Sequence, residues 1–338
     1  MEVIMAISLG VSIYSFQEEL FLGRMTLEEA VAAVAGKVGA KGVEIIMDET
    51  PLPGYRENGS VVNDEVAAWW KDLMAKYDTV PTIYGGGLPI SMYSNRHQTV
   101  RERAICTRRE MENCAKLGFK SFRTAIIPHD DIDAMAECFD LAEDLGITID
   151  VEIHAPRGIH TWWTQDYIEA IEKKNSKGAG FVLDFGIFSK GLSLSEIHLM
   201  CRQGAKEEIL FKMDEAHKAG QDLTEDEIVK LGGSDVELRA ARRLQNLTYD
   251  DPEFIREIIP YIHAVHGKFY EMNDAGEEPA IDYENPLRIL HEEGWNGFID
   301  SEYEGQRAYF DVGCDITMDC IDQVTRHQQM IRRILAGF

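Results

Sequence analysis

Two hydrophobic rhythms alternate along this chain. Short runs dense in Val, Ile, Leu and Phe are followed by longer stretches in which apolar residues return every three or four positions. The short runs predict strands at Val11–Phe16, Gly42–Met47, Val80–Tyr84, Ser121–Ile127, Ile147–His154, Ala179–Phe188, Ile262–Met272 and Gly297–Glu304. The longer stretches predict helices. Thr26-Leu-Glu-Glu29 is a capping box, followed by Leu27, Ala30, Val31, Val34 and Val38 at helical spacing. Gln98 to Leu117 and Asp131 to Leu145 read as two more helices, each ended by a glycine, Gly118 and Gly146, that leads into the next strand.

Eight strands alternating with helices predict an α/β fold, a (β/α)8 TIM barrel occupying residues 1–338 as one domain. An open doubly wound sheet would favour a glycine-rich phosphate loop after the first strand, and Ser12-Ile-Tyr-Ser-Phe-Gln17 has none. Gly85-Gly86-Gly87 lacks the Lys-Ser/Thr of a phosphate loop and reads as a loop at the barrel top. Between the sixth and seventh strands, residues 189–261 are too long for an ordinary connection. They are helical and charged, with a second capping box at Thr224-Glu-Asp-Glu227, and are expected to form a helical insertion serving as lid or subunit interface.

Charge narrows the function classes. The chain has 338 residues and a net charge of −25, which disfavours nucleic-acid partners. No apolar run approaches membrane-spanning length, and Met1-Glu-Val-Ile-Met-Ala6 carries no basic segment of a secretory signal. The six cysteines, Cys106, Cys114, Cys138, Cys201, Cys314 and Cys320, form no C-x-x-C pair and read as reduced thiols of a cytoplasmic protein.

Four side chains at the ends of successive predicted strands carry the chemistry: Glu152, Asp184, His266 and Glu302. Strand alternation puts Thr148, Asp150, Glu152 and His154 on one face, taken as the barrel interior; His266 and Lys268 share a face, as do Asp300, Glu302 and Glu304. One such charge alone is more often an ion pair. Four on consecutive strands predict a divalent metal site, and the oxygen-rich donor set favours Mn2+, with Mg2+ or Co2+ as alternatives.

The resemblance carried by these residues is to the xylose-isomerase-like TIM barrels of the sugar phosphate isomerase/epimerase superfamily. Tyr14-Ser15-Phe16, His266-Gly-Lys268 and Gly-Trp-Asn-Gly-Phe-Ile-Asp-Ser-Glu302 fit that pattern across nearly the whole chain. The resemblance implies metal ligands at Glu152, Asp184, His266 and Glu302. Sugar epimerases of this group usually carry a substrate-binding His three residues after the strand-six Asp, where this chain has Ile187. Glu152-Ile-His-Ala-Pro156, Asp184-Phe-Gly-Ile-Phe188 and the long insertion resemble more closely the alpha subunits of bacterial C-glycoside deglycosidases. That narrower resemblance implies a small β-sandwich partner subunit and cleavage of the C–C glycosidic bond of a 3-oxo-C-glucoside.

A C–C glycoside has no heteroatom leaving group to protonate, so the reaction needs a Lewis acid, a base for the C2 proton and an acid for the departing ring. Glu152 or Glu302 are candidates for the base, and His129 or His154 for proton transfer at the aglycone. Lys268, Arg123, Arg307 and Trp162 are candidates for substrate contact; Arg123 alternatively pairs with an interior carboxylate such as Asp150. The competing readings are a sugar isomerase or epimerase, a barrel-type abasic endonuclease, which the acidic charge opposes, and a non-enzymatic assembly subunit, which the intact ligand set opposes.

Overall fold

The computed structural model describes residues 7–338 except 48, 57–59, 88–94, 127, 310 and 313–317. The expected strand end at Ile127, Cys314 and the Met1–Ala6 run lie outside the described residues.

Eight parallel strands close into a barrel in the order β1 to β8, each bonded to its sequence neighbours and β1 to β8. They are β1 Ser8–Ser12, β2 Gly42–Ile46, β3 Val80–Gly85, β4 Ser121–Thr124, β5 Thr148–Ile153, β6 Ala179–Asp184, β7 Ile262–Phe269 and β8 Phe298–Tyr303. Helices cover the outer face, and the core lies mainly between strands and helices, with Val11, Val43, Phe122, Ile149, Phe181, Val265 and Ile299 fully buried. Burial on both sides is why the strands read as near-continuous apolar runs.

Several predicted strands overran, among them β4, which ends at Thr124. The chain leaves β1 at Ser12 and winds Ile13–Phe16 into a 3₁₀ turn, while β6 stops at Asp184 and Phe185–Ile187 form another. The first turn is pinned by Ser15, whose hydroxyl donates to the Ser301 carbonyl and accepts from the Tyr303 N–H. At β6, the Asp184 carboxylate accepts the Gly186 N–H at 2.6 Å and starts the turn as a cap. Both turns are buried, so apolar density continues past the strand end and conceals it. β7 likewise ends at Phe269, short of Met272.

The helix expected over Asp131–Leu145 is two, Asp130–Ala136 and Phe139–Leu145. The break falls where Arg108 takes the Glu137 carbonyl and the Cys138 N–H turns back to Met135. The helix expected from Gln98 begins at Val100, because Thr99 caps it with a box to Glu102.

Between β6 and β7 lie helices Leu194–Arg202, Glu207–Lys218, Glu225–Lys230 and Asp235–Gln245, three of them opened by capping boxes at Ser193, Thr224 and Ser234. They bury a small apolar cluster of their own around Leu210, Ile228, Ala240 and Leu244. Arg202 ties this unit to the segment after β8, bonding Asp311 at 2.9 Å and the Ala308 carbonyl at 2.7 Å.

Candidate metal centre

A closed parallel barrel turns alternate residues inward, and the inward positions near the strand ends set the site. Register places Asp184 beside His266 and Lys268 beside Glu302. One ligating atom from each of Glu152, Asp184, His266 and Glu302 comes within 4.8 Å of the other three, and all four residues are buried.

The cluster is charged and crowded. His266 Nδ1 lies 2.7 Å from Glu152 Oε1 and 3.6 Å from Glu302 Oε2, while its Nε2 lies 3.0 Å from Glu44 Oε1. Lys268 Nζ sits 2.9 Å from Asp184 Oδ2, 3.0 Å from Glu302 Oε2 and 3.3 Å from Glu304 Oε1. Arg123 reaches Glu152 at 3.1 Å and Glu44 at 3.3 Å.

These neighbours set the protonation states. Burial pushes the Asp184 carboxyl up to about 6, with Lys268 pulling the other way. Burial also raises Glu152, but Arg123 and His266 outweigh it and hold the carboxyl well below the usual carboxylate range. In Glu302 burial is overcome by Lys268 and His266, and the net direction is down. Burial lowers His266 and Lys268, yet the surrounding carboxylates raise both well above their ordinary values. The mouth is thus a set of ionised groups held in a water-poor space.

The residues present fit a divalent ion. Asp184 Oδ2 and Glu302 Oε2 are buried oxygens with no aligned hydrogen bond, despite their closeness to Lys268. Five carboxylates (Glu44, Glu152, Asp184, Glu302 and Glu304) face four cationic side chains (Arg123, His266, Lys268 and, at Glu304, Arg307), so a further positive charge is accommodated. With Glu44 accepting from Nε2–H, Nδ1 of His266 points at Glu152 and Glu302 and is the nitrogen left for a metal ion once the ion displaces its proton, the outer-carboxylate arrangement that orients metal-bound imidazoles.

Other expected residues are dispersed. Arg123 does not pair with Asp150; Ser121, Thr148 and His263 surround that carboxylate instead. His154 directs Nδ1 to the Ala155 carbonyl at 2.7 Å. His129 is largely exposed, with Nε2 held by Asp166 at 3.0 Å and its ring stacked on Trp162. Trp162 is partly exposed and also stacks on Trp163. Arg307 lies over the Tyr14 ring, whose hydroxyl donates to Glu304. Ile187 is fully buried.

Glu44 and Tyr14 were not among the candidate site residues. Glu44 carried a readable signal, an acid on the inward face of a buried strand between Gly42 and Ile46.

The xylose isomerase-like TIM barrel family matches residues 32–320. The C-glycoside deglycosidase alpha subunit of Arthrobacter globiformis is 27% identical, aligned over 97% of this chain and 92% of that protein. The 3'-dehydrocarminate deglycosidase alpha subunit of a Microbacterium species is 26% identical over 96% and 94%. Among solved structures, D-psicose 3-epimerase superposes with a TM-score of 0.57 at 13% identity, covering 98% of this chain and 100% of the other. The IOLI protein with a binding zinc atom gives 0.57 at 15%, covering 98% and 99%. These structural likenesses establish the fold.

Proposed function

We propose, for a chain that belongs to the xylose isomerase-like TIM barrel family, that it is the large (alpha) subunit of a metal-dependent C-glycoside deglycosidase. It cleaves the C–C glycosidic bond of 3-oxo-C-glucosides. The observation that carries this reading is the end-to-end similarity to deglycosidase alpha subunits in a chain that keeps a buried Glu152, Asp184, His266 and Glu302 cluster.

Glu152, Asp184, His266 and Glu302 hold the ion, with Mn2+ best suited to three carboxylates and one imidazole. When bound, it supplies Lewis-acid polarisation of adjacent sugar oxygens. Glu152 or Glu302 takes the C2 proton, which the C3 ketone has made acidic. The C1–aryl bond then breaks, its electron pair passes to the ring carbon, and that carbon is protonated. The products, an unsaturated 3-oxo sugar and the free aglycone, together contain every atom of the substrate.

His154 suits the proton transfer at the ring better than His129. Its Nδ1–H is committed to the Ala155 carbonyl, so its Nε2 is free to take up a proton and deliver it to the ring carbon, whereas Asp166 occupies the Nε2 of His129. Lys268 and Arg123 bind substrate oxygens at the mouth, and Arg307 and Trp162 line its rim. The name alpha subunit, borne by the relatives, supports a second subunit here, which we take to be a small β-sandwich protein. The helices between β6 and β7 supply the lid or its docking face. A cytoplasmic setting agrees with free thiols at Cys106, Cys114, Cys138, Cys201 and Cys320, and no described helix is long and apolar enough to cross a membrane.

The test is mass spectrometry of the Mn2+-loaded chain incubated in D2O with a 3-oxo-C-glucosyl flavonoid. Release of free aglycone is expected. Deuterium entering the sugar without release would leave either an isomerase or epimerase, the second reading that a Glu152 and Glu302 proton-transfer pair supports, or a lyase that needs its second subunit, which adding that subunit to the assay separates. No change in either would remove both for this substrate class.

A further inference from the structure

The segment joining β5 to the helix Trp162–Lys174 holds two polar groups that the chemistry above leaves unused. Arg157 stands five residues after Glu152, with its guanidinium 5.2 Å from the centre of the Trp163 ring. Its Nη1 is buried and has no hydrogen-bond partner among the described residues, and the same is true of the Trp163 Nε1. Two buried N–H donors left open side by side are costly unless a ligand satisfies them.

The segment is fixed in place. The Arg157 N–H bonds the His154 carbonyl at 2.9 Å. The Ile159 N–H bonds Asp250 at 2.6 Å, and Thr164 bonds the Gly158 carbonyl at 2.9 Å. A Cβ at Gly158 would stand 2.4 Å from the Asp250 carboxylate, so the chain can lie this close only as glycine. Arg157 also feels the site: burial lowers its pKa, opposed by the charges of Glu152 and Asp131. Beside it Trp163, Trp162 and His129 form a continuous stack, with ring centres 4.4 and 5.4 Å apart.

We propose that Arg157 and the Trp163 indole N–H form the aglycone subsite, which recognises a phenolic oxygen on a flat aromatic ring next to the metal cluster. The proposal rests on the lyase reading and supplies its leaving-group side. When the C1–aryl bond breaks, the ring receives the electron pair, and a cation at an adjacent phenolic oxygen stabilises the charge that develops there. The carbon then takes its proton, so the subsite itself gains and loses none. The planar guanidinium and indole donors suit an oxygen acceptor on a flat ring.

Binding is measured without turnover, by calorimetry on the full Mn2+-loaded chain, with 5,7-dihydroxyflavone and 5,7-dimethoxyflavone as probes. The wild type is expected to prefer the dihydroxy compound by about tenfold or more, the weight of a hydrogen bond to a charged group. R157M should abolish the preference. W163F, which keeps an aromatic ring and loses only the N–H, should reduce it while leaving affinity for the dimethoxy compound unchanged. An undiminished preference in R157M, or no preference in the wild type, overturns the subsite. If the preference depends on Arg157 but no 3-oxo-C-glucoside is cleaved, the subsite stands and the lyase reading falls. Cleavage together with equal binding of both probes removes the subsite and leaves the lyase reading standing.

Discussion

Asp150 and Glu152 project from the same face of the same strand, two residues apart, yet they belong to different kinds of polar network. Around Asp150 every demand is met. Ser121 donates at 2.6 Å, Thr148 at 2.5 Å and His263 at 2.7 Å, and His263 in turn is raised by that carboxylate against the opposing effect of burial. One layer nearer the mouth, Glu152 shares His266 and Arg123 with other acids, and its neighbours Asp184 and Glu302 keep oxygens without aligned partners. A closed network has nothing to offer a ligand and serves the fold. An open one, buried at the same depth, stores unsatisfied charge that a cation can relieve.

The sharpest way to break that contrast is at its open end. E302Q removes one of the four proposed ligands and one of the charges competing for Lys268. It is expected to lose bound metal and at least about a thousandfold in turnover, the scale of Lewis-acid stabilisation, while keeping its fold. Metal content by elemental analysis, read beside circular dichroism, checks this. Full metal occupancy with full activity would remove the site assignment. H154A should fall less, by about a hundredfold, and keep its metal, since general acid–base groups contribute on that scale without holding the ion. Normal turnover in H154A and H129A alike would end the histidine proton transfer.

The closed end predicts the reverse. D150A deletes the carboxylate that three donors share and strands His263 inside the barrel. A stability loss of roughly 3 kcal/mol is expected, as for other buried pairs broken from one side. Metal bound per folded molecule should not change. Urea denaturation and elemental analysis on one preparation separate the two effects, and metal loss in D150A would show that floor and mouth form a single network.

How far the sequence reached follows from the same physics. Parallel strands buried on both faces declare themselves by apolar density, so all eight were legible. Their ends were not, because Ile13–Phe16 and Phe185–Ile187 stay buried while leaving the sheet. The Glu152, Asp184, His266 and Glu302 grouping was legible because period-two alternation fixes which residues face inward. Arg123 pairs with interior carboxylates, as its alternative reading expects, but with Glu152 and Glu44 and not with Asp150, the example named for it. Asp150 is its register neighbour, yet the long side chain passes that position and reaches Glu152 and Glu44. Side chains on loops obey no such period. The Ala155 contact of His154, the Asp166 contact of His129 and the open donors of Arg157 and Trp163 had to be seen in three dimensions.

A third network tests whether closure alone decides the outcome, because it is closed and uncharged. Behind β8, His327 lies flat on Phe269 at 4.0 Å, with Nδ1 at 2.9 Å from the Ser301 hydroxyl and Nε2 at 2.7 Å from the Tyr283 hydroxyl. Gln328 completes it, donating to Ser301 at 2.7 Å. Burial pushes the imidazole down to about 3 from an ordinary value of 6.5. Above 6.5 neither the folded nor the unfolded imidazole carries a proton, and the contribution is intact. As pH falls from 6.5 toward 3 only the unfolded chain takes one up, so stability drains at up to about 1.4 kcal/mol per pH unit. H327Q cannot take up that proton. It should be less stable than the wild type at pH 7, through lost stacking, and should lose less stability on acidification, so that the two urea midpoints converge by pH 5. Parallel midpoints across that range would mean that His327 is protonated in the fold, and that this network carries charge like the two inside the barrel.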